Sequence, residues 1–457
     1  MPLPRRERRS SPSECRLYGI LVLVFCASAI PTLYVHQQII SAETPKIAHR
    51  NFFNKSLNST ILESKQTVRS EEFFKPKNHP RHHDFGFQAK SETAPLCNAL
   101  EENDVDFTLV IQVSWSRFWL MEHQCHRWGA HPMSLAVWME NQAPAHNNIS
   151  SMRDLVKFTL TKMGCNLDII TVSVLTNVSA HESYPVNRLR NLALVNVRST
   201  HSITMDADFL VSPRLYEDIS VHRSVLATDN KLSLVIPAFE IKSSCQPVDS
   251  KRCHHMYIQM APVDKKSLLQ NFAFHRYGAH QKNSNHIRPF QISVNWQGHS
   301  STRYQAWITQ DAHALMPINC FHWDRYEPYL VVRYCRDTPP FQEAFTGYGQ
   351  NKISWIRHLR DLGWRMLRMG SGFCLHVPHD TSPAYKTWKT RRNLQKKMHE
   401  TSQAFKKWRT VEANIPKNGA RTPLCSPTSS KKKKKNRTQK AKHTTVTSNR
   451  QAHKHIN

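Results

Sequence analysis

Segments typical of strands alternate with segments typical of helices between residues 107 and 205, and this pattern constrains the fold more than any other feature of the chain. The strand-like runs are apolar and rich in Val and Ile, whereas the intervening segments repeat apolar residues at helical spacing. Such an alternation predicts an α/β layered domain with a mostly parallel sheet. The strand-like runs are Phe107–Val113, Met133–Met139, Asp168–Leu175 and His201–Met205, and the helix-like segments are Arg117–Trp128, Ser151–Met163 and Asn187–Val197.

An uncharged run at residues 17–35 follows five arginines near the start of the chain. At a helical rise of about 1.5 Å per residue the run reaches roughly 28 Å, close to the thickness of a bilayer core. Because positive charge stays on the cytoplasmic side, the sequence predicts a cytoplasmic tail at 1–16, a transmembrane signal anchor at 17–35 and a luminal remainder. The rival interpretation is a cleaved signal peptide, since Ala27-Ser28-Ala29 resembles a cleavage site.

Residues 36–95 are predicted to form a luminal stem, because they are polar and show no sustained periodicity. Nine cysteines lie beyond the predicted anchor, so disulfides are expected and at least one thiol is left over, although no pairing can be deduced. No Cys/His spacing indicates a zinc module. Glycosylation sequons that agree with a secretory-pathway lumen begin at Asn54, Asn58, Asn148, Asn177 and Asn436.

The net charge of +29 suggests nucleic-acid binding until its distribution is considered. Residues 385–457 carry +19 of this charge, and residues 51–384 carry only +6. We predict a folded domain at 96–400 and a basic, disordered tail at 401–457, which is rich in Lys, Ser, Thr and Asn. A luminal tail would not meet nucleic acid, so no nucleic-acid partner is expected, and anionic glycans or the membrane surface are the alternatives.

Asp206 and Asp208 follow the run His201–Met205, at the strand end where open α/β sheets bind their ligands. Two carboxylates one residue apart can hold a hard divalent cation against a nucleotide diphosphate if the backbone leaves strand geometry there. The alternative is a purely structural role, in which an aspartate caps a loop or the next helix. His376 and His379 end another apolar run and could supply a nitrogen ligand to Mn²⁺, although a pair of packed or exposed histidines is the simpler interpretation in a chain with 27 of them.

A glycine-punctuated turn precedes the helix-like segment Ile353–Leu362. Its Gly347 and Gly349 would let the backbone approach a sugar or phosphate closely, and Lys352 could balance phosphate charge. The Walker pattern is absent, and a plain helix-entry turn is the alternative. Three acids are candidates for a general base, and composition does not choose among them: Glu343, Asp311 and Glu327.

Taken in order, these motifs resemble the LARGE-type and β-1,4-glucuronyltransferase family, glycosyltransferase family 49. The resemblance spans residues 105–388, about three-fifths of the chain. The matching segments are VDFTLVIQVSWSRFWLMEHQCHRWGAHPMSLAVWM (105–139), YPVNRLRNLAL (184–194), ITMDADFLVSPRLYEDI (203–219), LVIPAFEI (234–241), GHSSTRYQAW (298–307), YEPYLVVR (326–333), PPFQEAFTGYGQNKISWI (339–356) and FCLHVPH (373–379). It implies a GT-A fold, a nucleotide-diphosphosugar domain on a Rossmann-like sheet. It also implies Mn²⁺ dependence and a Golgi type II membrane protein that inverts the sugar while transferring glucuronate from uridine diphosphate (UDP)-glucuronate to a glycan acceptor on a glycoprotein.

The resemblance further implies roles for individual residues. Asp206 and Asp208 match the family's DxD metal motif, and His376 matches the first histidine of its HxPH segment as third ligand, with His379 as the alternative. Two further groups match the YPVNxLRN helix and the GxGxNK turn and are expected to bind substrate: Asn187, Arg190 and Asn191, and Gly347, Gly349, Asn351 and Lys352.

Some segments depart from the family. Large bifunctional members carry a second transferase domain upstream, for which this sequence has no room, so a two-sugar polymerase acting alone is not expected. Lys242–Gln270 and Trp307–His322 match less closely and are expected to shape acceptor recognition, and Gln342 stands where relatives often place an acid. Three matters stay open: a different UDP-sugar donor (xylose or N-acetylhexosamine), a catalytically inactive glycan-binding protein with the same fold, and a homo- or hetero-oligomeric state.

Overall fold

The structure is a computed structural model, and it describes residues 85–139, 151–176, 184–272, 286–292, 295–411 and 421–426. All of them belong to the second of the chain's two compact units, Pro80–Asn457. The predicted cytoplasmic tail and signal anchor lie outside the described residues. Within the described ranges, no helix combines the length and the apolarity needed to cross a membrane.

The described elements alternate as the sequence predicts, with strand and helix ends that differ by a few residues. The strands are β1 (Phe107–Ser114), β2 (Met133–Trp138), β3 (Ile170–Leu175), β4 (His201–Asp206), β5 (Phe209–Val211), β6 (Leu232–Ile236), β7 (Ala238–Ile241), β8 (Ile287–Pro289), β9 (Leu315–Pro317), β10 (Tyr329–Arg333), β11 (Arg365–Met369) and β12 (Cys374–His376). The helices are α1 (Leu120–Trp128), α2 (Met152–Lys162), α3 (Val186–Leu194), α4 (Leu215–Ser220), α5 (Arg223–Thr228), α6 (Lys251–Met260), α7 (Lys265–Gln270), α8 (Trp296–His299), α9 (Tyr304–Ile308), α10 (Asn351–Asp361), α11 (Pro383–Thr390) and α12 (Arg392–Val411).

The main sheet has eight strands in the order β3-β2-β1-β4-β10-β6-β11-β9. The strands β3, β2, β1 and β4 run parallel, which confirms the parallel sheet predicted from the alternating pattern. The rest of the sheet is mixed, because β10 lies antiparallel to both β4 and β6, while β6 and β11 are parallel. The domain is therefore a mixed α/β fold around a central sheet.

The sheet is covered on both faces, which explains why β1 reads as a continuous apolar run. Leu109 and Ile111 point into a cluster that also contains residues of α1 and of the smaller sheet. Val110 points to the opposite face, where it joins Leu189 of α3 and Leu359 of α10. Gln112 is one of the few polar side chains on this buried strand, and its register partner on β4 is Asp206.

A smaller sheet with the order β5-β12-β7-β8 lies beside the end of β4. The antiparallel pairing of β12 with β5 sets His376 opposite Phe209, directly after Asp208. The backbone N–H of Val377 then donates to the carbonyl of Asp208 at 2.9 Å. The chain thus brings together the DxD strand end and the HxPH segment, which are distant in sequence.

Four disulfides cross-link the described residues: Cys97–Cys335, Cys125–Cys165, Cys245–Cys253 and Cys320–Cys425. Cys374 is the cysteine left over, and it is buried on β12. One free thiol beside disulfides is what the odd count of nine cysteines beyond the predicted anchor predicts.

The packing of the domain reaches beyond the predicted boundaries at 96 and 400. Ala94, in the predicted stem, is buried in the cluster under α3 and α10, and Phe87 packs on a third cluster formed by Phe345, Met398 and Phe405. Likewise, α12 continues to Val411, and residues 421–426 are held by the Cys320–Cys425 bond. The segments that extend the domain are held by apolar side chains without clear helical or strand periodicity, so the sequence pattern does not predict that they belong to it.

Candidate active site

A cleft of about 1240 Å³ opens at the carboxyl ends of β1, β2 and β4. From β1 the sheet continues through β2 and β3 on one side and through β4 on the other, so the strand order reverses between β1 and β4. Ligands of open α/β sheets bind at such a reversal. The volume exceeds the roughly 300–1,000 Å³ of a typical small-molecule pocket.

Asp206 ends β4 and is held by four donors. Its Oδ1 accepts from Gln112 Nε2 at 2.8 Å and from Arg190 Nη2 at 2.7 Å, and its Oδ2 accepts from the Tyr329 hydroxyl at 2.8 Å and from Lys352 Nζ at 2.9 Å. Burial by itself would raise the pKa of Asp206, but the charges of Lys352 and Arg190 outweigh it and hold the pKa well below its usual range. The carboxylate is therefore ionised and fixed in place.

Asp208, His376 and His379 converge beside it. His379 Nε2 lies 2.8 Å from Asp208 Oδ2 and 3.2 Å from His376 Nε2, and His376 Nε2 lies 3.9 Å from the same carboxylate oxygen. Two atoms that each lie about 2.1 Å from one metal ion at right angles are about 3.0 Å apart, so these spacings fit a shared ion. Among the described residues, this trio is the group of His, Cys, Asp and Glu side chains whose ligand atoms could hold a metal.

Electrostatics within the trio are dominated by contacts with Asp208. Burial opposes ionisation of Asp208, yet the hydrogen bond and charge of His379 and the charge of Arg117, whose Nη1 lies 2.9 Å away, keep the pKa of Asp208 below its usual range. Burial lowers the pKa of His376 to about 4, so its ring is neutral and can offer a lone pair. Burial would also lower the pKa of His379, but the hydrogen bond and charge of Asp208 raise it.

The glycine-punctuated turn positions Lys352 beside Asp206. Gly347 and Gly349 have φ of 66° and 94°, a backbone region that other residues rarely adopt. The Gly347 N–H donates to the carbonyl of Tyr184 at 2.7 Å, which fixes the turn beside α3. Asn351 starts α10 and accepts from Arg190 Nη1 at 3.1 Å, so the predicted turn and helix residues form one connected network.

Asn187 and Asn191 are placed differently from Arg190. Asn187 is buried and donates to the carbonyl of Gln342 at 2.8 Å, while Asn191 exchanges hydrogen bonds with the backbone of Phe341. Neither lines the cleft, whereas Arg190 does. The two asparagines therefore anchor the segment that leads into the turn, and of the three predicted helix residues only Arg190 lines the cleft.

The three candidate bases are separated by the structure. Glu327 lines the cleft, where Asn295 Nδ2 lies 3.2 Å from its Oε1. Glu343 instead accepts from Asn191 at 2.9 Å, and Asp311 lies exposed on a loop, where it accepts from the His313 N–H. Burial raises the pKa of Glu327 above its usual range. Of the three acids, only Glu327 is placed where it could take a proton from a substrate.

Sequence reasoning does not single out Gln112 and Tyr329, which donate to Asp206, or Arg117, which donates to Asp208. A signal exists for Gln112, because it is a polar residue in an apolar strand that neighbours the DxD strand. Arg117 lies three residues after the end of β1, near its carboxyl end, where a topological argument could place it. Tyr329 reads as an ordinary strand residue, so no local signal identifies it.

The fold and site together define an α/β protein in which a carboxylate–imidazole group and buried cations meet at the ends of parallel strands. The chain belongs to the glycosyltransferase family 49, described as "Glycosyl-transferase for dystroglycan", whose family model matches residues 161–411, more than half of the chain. This confirms the family resemblance of the motifs.

Similar curated proteins carry the LARGE name. The chain is 29% identical over 299 residues to the Gallus gallus "Xylosyl- and glucuronyltransferase LARGE2s", covering 63% of this chain and 34% of that protein. It is 27% identical over 299 residues to the Homo sapiens "Xylosyl- and glucuronyltransferase LARGE1", covering 64% and 34%. The chain thus spans about a third of the length of these relatives.

Solved structures resemble the chain only distantly. The structure of GalNAc-T7 with UDP, GalNAc and Mn²⁺ matches 69% of this chain and 59% of its own, with 11% identity and a TM-score of 0.35. The S. aureus TarS 1–349 complex with UDP-GlcNAc matches 68% of each chain, with 9% identity and a TM-score of 0.32.

Proposed function

We propose that this protein is a metal-dependent, inverting glycosyltransferase of the GT-A type that transfers glucuronate from UDP-glucuronate to a glycan acceptor on a glycoprotein. The observation that carries the proposal is the convergence of Asp208, His376 and His379 at the end of β4, next to Arg190 and Lys352. Transfer from a sugar nucleotide needs positive charge at the departing diphosphate, and this is the part of the cleft that can supply it.

Mn²⁺ fits the donor set of the proposed metal site. One carboxylate and two imidazoles suit a transition-metal ion better than Mg²⁺ or Ca²⁺, which favour oxygen ligands. When bound, the ion would neutralise negative charge on the departing UDP. Asp206, also predicted as a ligand, has both oxygens engaged, so we assign it the role of orienting Arg190 and Lys352.

The donor nucleotide is assigned to the carboxyl ends of β1, β2 and β4. Trp138 ends β2, and its ring lies 5.0 Å from that of Tyr184, so the pair offers an aromatic surface on this side of the cleft. The side chains of Arg190 and Lys352 face the same space, and a glucuronate carboxylate requires a cation of this kind. The names of the relatives include xylosyl as well as glucuronyl transfer, so UDP-xylose is the second candidate donor.

Glu327 is assigned as the general base. It would take the proton of the acceptor hydroxyl as that oxygen attacks the anomeric carbon, and a single displacement needs no protein nucleophile. Asn295 orients its carboxylate, and Gly298 leaves room for it, because a Cβ at position 298 would lie 2.8 Å from Glu327 Oε1.

A luminal location, with residues 17–35 as a Golgi signal anchor, completes the proposal. Four disulfides support an oxidising compartment, since such bonds are rare in cytosolic proteins. Residues 1–16 would then be cytoplasmic, and residues 36 onward would be luminal.

The test is a donor assay on the full chain with and without Mn²⁺. UDP release should be fastest with UDP-glucuronate among UDP-glucuronate, UDP-xylose and UDP-N-acetylglucosamine. Asp208→Asn should reduce it about 10³-fold, as expected for loss of a group that stabilises transition-state charge. It should also abolish the upward shift in thermal unfolding that Mn²⁺ produces in the wild type, because an ion bound to the native state stabilises it.

Asp311→Asn is the matched control, since it removes an exposed carboxylate outside the cleft. It should leave both UDP release and the Mn²⁺ shift unchanged. An Asp208→Asn protein with wild-type activity and a wild-type Mn²⁺ shift would contradict the metal assignment. Faster UDP release from UDP-xylose than from UDP-glucuronate would contradict the donor assignment.

A further inference from the structure

Arg333 is a buried arginine at the end of β10, and most of its guanidinium donors are unpaired. The residue is 4% exposed, and its Nη2 donates to the carbonyl of Asn98 at 3.2 Å. Its Nε and Nη1 are buried and have no hydrogen-bond partner among the described residues. The charge of Asp104 acts on Arg333, but the Asp104 carboxylate accepts from the backbone N–H of Glu101 at 2.9 Å. Arg333 is therefore a buried cation without an ion pair in the described part of the chain.

The other buried arginines of the described residues have partners that match their charge. Arg190, Arg360 and Arg409 each pair with an aspartate, and Arg368 donates to one side-chain oxygen and two backbone carbonyls. Burial lowers the pKa of Arg333, but a guanidinium stays protonated in proteins. Because a buried charge without a counter-charge is strongly destabilising, Arg333 requires an anionic partner.

His201 lies beside Arg333 and offers a further donor. The two residues are register partners on β4 and β10, so their side chains project from the same face of the sheet. Burial, together with the charge of Arg333, lowers the pKa of His201 to about 3, so the ring is neutral. The Thr200 hydroxyl lies 3.0 Å from His201 Nδ1, and the carbonyls of Asp106 and Asp104 are farther from it, at 3.2 and 3.4 Å. When this hydroxyl donates to Nδ1, the ring proton is on Nε2, which is buried and unpartnered among the described residues.

These donors lie at the end of the sheet opposite the cleft. The cleft opens at the carboxyl end of β4, whereas His201 is the first residue of that strand. The Cys97–Cys335 disulfide and the Arg333–Asn98 hydrogen bond hold the segment before β1 against this end of β10. A ligand bound here would connect that segment to β4 and β10 and would lie away from the proposed substrates.

We propose that Arg333 and His201 form a binding site for a small monovalent anion, of which chloride is the type, and that this anion stabilises the fold. Arg333 Nε and Nη1 and His201 Nε2 would donate to it, and hydrogen bonds to a charged partner are the strong ones. One guanidinium balances one negative charge, and the nearby charge of Asp104 opposes a second, so sulfate and phosphate fit less well. The inference is independent of the proposed function.

The experiment measures thermal unfolding of the full chain at constant ionic strength while sodium chloride replaces sodium gluconate. Chloride at about 0.1 M should raise the unfolding temperature by about 2 °C, with a logarithmic dependence on concentration, because it binds the native state. Bromide should act like chloride. Sulfate stabilises proteins through its exclusion from their surface, so its effect should be linear in concentration and equal in the wild type and the variants.

Arg333→Met should abolish the response to chloride and should unfold in gluconate at or above the wild-type temperature, because it removes an unpaired buried charge. Arg368→Met is the matched control, since Arg368 is equally buried but has its hydrogen-bond partners. It should unfold at a lower temperature in both salts and keep the chloride response. His201→Phe retains the ring and removes the Nε2 donor, so about tenfold more chloride should be needed for the same shift.

Crystals grown with sodium bromide provide a direct measurement. Anomalous scattering should give a bromide peak within hydrogen-bond distance of Arg333 and His201 in the wild type. An unfolding temperature that does not respond to chloride, or a response that persists in both Arg333→Met and His201→Phe, would overturn the proposal. A map without a bromide peak at Arg333 would also overturn it and would mean that water molecules satisfy these donors. If Arg333→Met fails to fold, His201→Phe and the bromide map still decide the question.

Discussion

The two sides of the cleft differ in the burial and pairing of their charged side chains. At the strand ends, Asp206 and Asp208 are each paired with cations, and Arg190 and Lys352 are mostly buried with their partners. On the opposite side, formed by α11 and the start of α12, Arg391 and Lys397 are exposed and lack acidic partners among the described residues. Paired and buried charges keep one geometry, which a defined chemical step requires. Exposed and unpaired cations can change conformation freely, so the difference separates a rigid group of side chains at the strand ends from a mobile set on the other side.

The largest effect is expected from Glu327→Gln at the strand ends. Because the amide cannot take a proton, kcat should fall about 10³-fold, within the range of positioned general bases. Thermal unfolding should change little, since the substitution keeps the volume and the contact with Asn295. Steady-state kinetics with the best donor measure the effect. A kcat within threefold of the wild type would show that Glu327 is not the general base. The strand ends would then no longer be distinguished from the opposite side of the cleft by a catalytic carboxylate.

Arg190→Met tests the rigidity of the strand ends directly. The change leaves Asp206 partly buried with one cation fewer, and breaking such a buried pair costs about 3 kcal/mol of unfolding free energy. Arg391→Met, at the exposed cation on the opposite side of the cleft, is the matched control and should alter the unfolding free energy by less than about 0.5 kcal/mol. Urea denaturation of both variants gives the two values. Equal losses of unfolding free energy in the two variants would show that the cations on both sides contribute alike to stability.

The pH dependence of kcat/KM should reflect the environment of Glu327. A general base works in its ionised form, and burial raises the pKa of Glu327 above its usual range, with the charge of Lys352 opposing this and that of Asp206 adding to it. Activity should therefore be constant above that raised pKa and fall about tenfold per pH unit as the pH drops below it. Comparison of wild type and Glu327→Gln checks this, because the acid limb assigned to Glu327 should be absent from the residual activity of the variant.

Gly298→Ala should give the smallest effect, about tenfold in kcat. The new Cβ would lie 2.8 Å from Glu327 Oε1 and 3.0 Å from Asn295 Nδ2, so the base must move. Stability should hold or rise slightly, because position 298 is helical and alanine has the higher helix propensity. The double variant with Glu327→Gln should be no slower than Glu327→Gln alone. A further additive loss would mean that Gly298 acts through something other than the base.

The parallel half of the fold was accessible from sequence because its strands are buried on both faces and read as apolar runs. Short strands were not, since β5, β8, β9 and β12 have three residues each and their pairing depends on distant partners. The aspartates could be placed at a strand end by pattern, and the histidines by family resemblance. Their contact depends on the register of β12 against β5, which no local signal encodes.

Side-chain roles were harder to predict than positions. Asn187 and Asn191 lie in the same motif as Arg190, but helical geometry turns only Arg190 towards the cleft. Glu327, Glu343 and Asp311 are equivalent acids in the sequence, and they differ only in where the fold places them. Composition likewise gives no hint that Tyr348 and Trp388 share a surface.

The Cys320–Cys425 bond has a practical consequence for anyone producing the protein. It closes a loop of 105 residues, and a cross-link of about that span stabilises a fold by roughly 4–5 kcal/mol in chain-entropy terms. A gene trimmed at residue 400, a natural choice from the charge distribution, would leave Cys320 as an unpaired thiol able to form mixed disulfides between molecules. It would also delete Phe405, which packs on Phe345 just ahead of the turn that carries Lys352. Expression trials should therefore keep the chain through residue 426 and use an oxidising host, and a non-reducing gel would reveal an error in either choice.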